Sequence, residues 1–148
     1  MESMNFDISI NAPREKVWNA LWEDANYRNW TSAFSETSYA VTDWKQGSKI
    51  LFLDGTGCGM VSRIEEKRPN EYMSFQHLGE VRDGVEDTTS EKVQGWKGAM
   101  ENYTLIETAG GTEVKVELTG NIPEEHKDYF VQAWPKALDK LKQIAEAN

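Results

Sequence analysis

From residue 35 to residue 119 the chain keeps returning to a period of two, and that pattern narrows its possible folds more than anything else in it. Ser35–Val41, Ser48–Leu53, Gly59–Glu66, Tyr72–Leu78, Met100–Glu107 and Glu113–Thr119 each have the length and alternation of strands. The last is the clearest, with Val114, Val116 and Leu118 on one side and Glu113, Lys115 and Glu117 on the other. Turn residues separate the runs at Lys45-Gln46-Gly47, Asp54-Gly55-Thr56-Gly57, Arg68-Pro69-Asn70 and Ala109-Gly110-Gly111. Strands this closely spaced pair antiparallel, because a parallel crossover needs about a dozen residues. Asn5–Ile10 adds a seventh strand at the start, with Phe6, Ile8 and Ile10 on its apolar side.

Helical periods flank this block. Asn11-Ala12-Pro13 opens a helix, since proline fits a first turn where its missing N–H is not needed. Val17, Ala20 and Leu21 form its stripe, with Trp18 and Trp22 at the flank. Asp24 is placed to cap a second short helix ending near Trp30. Glu124–Ala145, introduced by Pro123 and acidic residues, predicts a long helix. Its stripe is Phe130, Ala133, Trp134, Ala137, Leu138, Leu141, Ile144 and Ala145, interrupted by Pro135, which predicts a bend near residues 131–135.

The order strand, two helices, six strands and long helix is α+β. It predicts one domain over residues 1–148, a curved seven-stranded antiparallel sheet gripping the C-terminal helix, with a hollow between them. Gly79–Gly98, acidic and broken by glycines, reads either as a mobile cover pinned by Trp96 or as an ordered connection packed by Val81, Val85, Val93 and Trp96.

Composition removes several function classes. The formal charge of −9 makes nucleic acid and anionic membrane surfaces unfavourable partners. One cysteine, Cys58, excludes an internal disulfide, and His77 and His126 lie too far apart in sequence for a local metal motif. No cofactor, metal or catalytic residue is therefore assigned. Gly55-Thr56-Gly57-Cys58-Gly59 lacks the Lys-Ser/Thr of a phosphate loop and reads as a hairpin turn. Without a secretory leader or a sufficiently long apolar run, a cytoplasmic location is expected.

Several stretches together carry a family resemblance. They are Ile10-Asn11-Ala12-Pro13-Arg14-Glu15-Lys16-Val17-Trp18, Asp24–Trp30, Trp44-Lys45-Gln46-Gly47-Ser48, Trp96 to Tyr103, and Trp134-Pro135-Lys136-Ala137-Leu138-Asp139-Lys140-Leu141. In this order they resemble the helix-grip superfamily called START-like or SRPBCC, the Bet v allergen fold. Within it they resemble the bacterial, single-domain homologues of the activator of heat-shock-protein-90 ATPase. The superfamily includes lipid carriers, hormone receptors and aromatic cyclases, so the resemblance implies a fold and leaves several functions open. In the eukaryotic activators a separate N-terminal domain engages the chaperone, and with 148 residues no such domain is expected here.

The first expectation is thus a binding protein for a small apolar or amphipathic molecule. Its cavity candidates are Phe75, His77, Trp96, Glu101, Tyr103, Phe130, Trp134 and Leu138. Against it stands a cyclase- or hydrolase-type enzyme, in which His77 beside Glu101 or Tyr103 would exchange protons. A chaperone partner is the third alternative, carried by the family name alone.

Overall fold

Met4, Phe6, Ile8 and Ile10 alternate inward along β1 (Glu2–Ile10), and each sits opposite an inward residue of the last strand, β8 (Gly111–Gly120). The computed structural model describes residues 2–122 and 124–147. After β1 come α1 (Arg14–Trp22), α2 (Asp24–Trp30) and a tight 3₁₀ turn at Thr31–Ala33. Five strands follow: β2 (Tyr39–Val41), β3 (Lys49–Leu53), β4 (Gly59–Arg68), β5 (Tyr72–Arg82) and β6 (Val85–Asp87). A short helix, α3 (Glu91–Gln94), leads to β7 (Met100–Thr108), β8 and finally α4 (Glu124–Glu146).

The strands form one antiparallel sheet in the order β1-β8-β7-β5-β4-β3-β2, with β6 paired to β5 beside this path. All three longer helices cover its concave face, and the fold is the helix grip. The core lies between them, from Ile10, Val114 and Val116 to Leu21, Trp30, Leu138 and Leu141.

Local details depart from the sequence reading for identifiable reasons. Ser35–Val41 is strand only over Tyr39–Val41, because the 3₁₀ turn continues into bonds from Phe34 N and Ser35 N to Thr31 O. Pro13 stands just before the first helical residue, with ψ 160°. Asp24 does not cap α2 but begins it, and its carboxylate holds Arg28 at 3.0 Å one turn on. Pro123 lies outside the described residues.

Gly79–Gly98 is not one irregular stretch. Strand β5 runs on to Arg82, turns, and pairs with β6 through Glu80↔Asp87, Val81↔Glu86 and Arg82↔Val85. Ser90 then caps α3 by accepting from Val93 N, which seats Val93 in the interior. Gly79 permits the close return: a Cβ there would stand 2.1 Å from the Asp87 carbonyl oxygen.

Helix α4 is continuous through Pro135, whose ring lies on the exposed side. Burial changes along it abruptly. Among the described residues none before Ala133 is buried, whereas Ala133, Trp134, Ala137, Leu138, Leu141 and Ala145 all are. In the first turns of α4 only Lys127 and Phe130 of the described residues are half-buried, with Phe130 packed against the edge of the core.

Candidate functional site

The strand register places four polar side chains in a row across the concave face. Ser62 on β4 sits opposite His77 on β5, while Glu101 on β7 sits opposite Phe75, one inward position before His77. Tyr103 is the next inward residue of β7, opposite Met73. Ser62 Oγ lies 2.6 Å from His77 Nδ1, and His77 Nε2 lies 3.1 Å from Glu101 Oε1. The Tyr103 hydroxyl donates to the other carboxylate oxygen, Oε2. The Ser62–His77 link is buried and the two links to Glu101 are partly buried, so a hydrogen bond left unmade there would be costly.

Glu101 is the member that reaches outward: its side chain keeps 19% of its exposure, against 9% for His77, and Ser62 is wholly buried. Burial is the largest influence on Tyr103 and raises its pKa well above the usual phenol value; the Glu101 charge and the hydrogen bond to it act the same way. Tyr27 is raised too, by burial first and by Glu101 second. Both phenols stay protonated and able to donate.

Rings enclose the row. Phe52 stands 5.1 Å from Phe75 and 6.0 Å from His77 between ring centres. Trp22 stands edge-on to Tyr103 at 4.9 Å and to Phe75 at 5.5 Å, and its buried Nε1 has no hydrogen-bond partner among the described residues. Trp134 descends from α4 to within 6.0 Å of Tyr103 and 4.9 Å of Phe34. Above them the Tyr129 hydroxyl donates to Phe34 O at 2.8 Å, tying the first turns of α4 to the turn after α2. Phe34, Phe52 and Phe130 remain half-buried around this end.

Of the residues picked out from sequence, Phe75, His77, Glu101, Tyr103 and Trp134 come together here. Phe130 sits at the rim, one turn before Trp134. Leu138 lies farther along α4, in the packed core with Ala137 and Leu141. Trp96 is not among the enclosing rings; it follows α3, half-buried, its N–H donating to Val93 O. Sequence reasoning missed Ser62, Trp22, Tyr27, Phe34 and Phe52. Trp18 and Trp22 repeat the four-residue spacing of Val17 and Leu21 one position on, a sign that the buried face of α1 is wide enough for both pairs.

The space expected to be hollow under α4 is occupied by Trp22, Trp30, Tyr103 and Trp134. Hollows among the described residues lie elsewhere, on the surface. One, of about 560 Å³, is bordered by Asn11–Pro13 and Glu107–Gly111; another, of about 400 Å³, by Asn26, Asn29, Lys140, Gln143, Ile144 and Ala147. Among the described residues no cluster of three or more His, Cys, Asp or Glu side chains is placed to hold a metal ion. Among the described residues no helix is long and apolar enough to cross a membrane.

The sequence model of the family described as Activator of Hsp90 ATPase homolog 1-like protein matches residues 11–146. Comparison with curated proteins gives no match. Among solved structures, the Aha1 dimer from Colwellia psychrerythraea superposes with a TM-score of 0.75 at 21% identity, covering 99% of this chain and 97% of that one. Protein MLL2253 from Mesorhizobium loti superposes at 0.73 with 18% identity, covering 99% and 98%. CalU16 from Micromonospora echinospora superposes at 0.67 with 17% identity, covering 97% and 74%. At these identities the likeness is one of fold.

Proposed function

This chain belongs to the Activator of Hsp90 ATPase homolog 1-like family, and we propose that it binds a small amphipathic molecule at the open end of its helix grip. The polar end of the ligand meets Glu101, and its apolar body lies against Phe34, Phe52, Phe130 and Trp134. The observation that carries this reading is the row Ser62–His77–Glu101–Tyr103 inside a wall of rings. A fold gains little from such a row, since replacing buried ionic groups by well-packed apolar ones is often neutral or stabilising by about 1–4 kcal/mol. A partly reachable carboxylate among half-buried rings is the arrangement a binding site needs: apolar walls and a few polar groups that fix orientation. Entry proceeds by displacing Phe34 and Phe130, the half-buried rings at the edge of the core.

A titration with N-phenyl-1-naphthylamine, a neutral apolar probe, tests this reading. Saturable binding that quenches tryptophan emission, with most of the quenching lost in Trp134→Phe, is the expected result. Unchanged quenching in that variant places binding elsewhere and overturns the reading.

One observation favours a second reading, in which the same site transfers protons. Glu101 holds an imidazole on one oxygen and a phenol on the other, two groups within reach to exchange a proton with it. Ser62 is wholly buried and so does not act as a nucleophile in that reading.

A further inference from the structure

The sign of the ligand's polar end follows from how the charges around Glu101 are already used. Two acceptor positions of the carboxylate are taken, by His77 Nε2 and by the Tyr103 hydroxyl, and a carboxylate offers about four. His77 Nε2–H donates to Glu101, and a second hydrogen bond joins His77 Nδ1 and Ser62 Oγ. The carboxylate keeps unused lone pairs for a further donor. Among the described residues, Lys67 and Lys127 bring cations near this face, and both are engaged elsewhere. The Lys67 ammonium donates to Trp44 O at 2.8 Å, and that of Lys127, on the inner stripe of α4, lies 3.0 Å from Glu124 Oε1.

The surrounding rings act in the same sense. Aromatic faces carry negative charge density, so a cation meeting a face of the half-buried rim rings Phe34, Phe52 or Phe130 is favoured there over an anion. The formal charge of −9 adds a long-range field that draws cations toward the molecule. We infer that the polar end received at Glu101 is an organic ammonium group carried on an apolar body. This inference rests on the binding reading above and adds the charge of the ligand to it.

The test compares octylammonium, octanoate and octan-1-ol, which share a chain and differ in head group, by tryptophan emission in wild type, Glu101→Gln and Glu107→Gln. Glu107 is an exposed carboxylate of the same strand, so both variants lose one negative charge. Octylammonium should bind about 10-fold tighter than either other compound, as one well-placed ion and ring contact provides. The preference should vanish in Glu101→Gln and survive in Glu107→Gln. It should also persist in about 0.5 M sodium chloride, where the field of distant surface charges is screened. Equal or tighter binding of octanoate or octan-1-ol by wild type overturns the inference and leaves the binding reading standing. A preference that salt abolishes, or that Glu101→Gln retains, comes from net charge and also overturns it. If none of the three compounds binds, the binding reading fails and the inference fails with it.

Discussion

His77 Nε2 lies 3.1 Å from Glu101 Oε1, joining the middle strand of the sheet to its neighbour across the concave face. Neither residue stands directly opposite the other; Phe75 faces Glu101, and His77 reaches it along the diagonal. The contact exists because β5 and β7 keep their register up to the point where His77 N donates to Ala99 O.

Removing the carboxylate should therefore strand two donors. Glu101→Leu leaves His77 Nε2 and the Tyr103 hydroxyl without their acceptor and should lower stability by about 1–3 kcal/mol in urea unfolding. A variant as stable as wild type would mean that the row contributes no mutual support.

Leu138 is 2% exposed beneath α4, and Leu138→Ala should lower stability by about 2–5 kcal/mol. Thermal or urea unfolding reads this directly. A loss below about 1 kcal/mol would contradict the packing of α4 on the sheet.

Alkali should weaken the fold. Burial first, and the charge of Glu101 second, hold the Tyr27 and Tyr103 pKa values above the usual phenol value. Unfolded phenols titrate near about 10, so above that pH the unfolded chain loses protons that the folded one keeps, and stability falls. Urea midpoints measured from about pH 9 to 11 should decline less steeply in Tyr27→Phe than in wild type. Equal slopes would assign alkaline sensitivity to other groups.

Residues 79–98 should behave as architecture. Amides in the paired portions of β5 and β6 should exchange slowly in the free protein, because the ladder Glu80↔Asp87 to Arg82↔Val85 is formed there. Fast exchange throughout the segment, slowed by an added ligand, would instead make it a cover.

The fold was largely legible because its signals are periodic. The alternation Val114, Val116, Leu118 placed β8, and the spacing Trp134, Leu138, Leu141 placed the inner face of α4. The site was only half legible, for a reason of register. Strand parity grouped Phe75 with His77 and Glu101 with Tyr103, but pairing across strands decides who meets whom, and the irregularity between Val61 and Ser62 brings Ser62 to His77. Nothing local marks Ser62 or Phe52 as neighbours of that row. For segment 79–98 the sequence left a cover and an ordered connection open, and its strand portions are hard to see because they are short and turn at Asp83-Gly84, where both residues have positive φ.

The central claim concerns place, and an amide chemical-shift titration with octan-1-ol tests it most directly. Shifts should concentrate at His77, Glu101, Phe34, Phe52 and Phe130 and saturate together. They should be absent at the two surface hollows, around Asn11–Pro13 with Gly110 and around Asn26 with Lys140. Shifts centred on either surface hollow, or no saturable shift at the open end of the grip, would contradict the account.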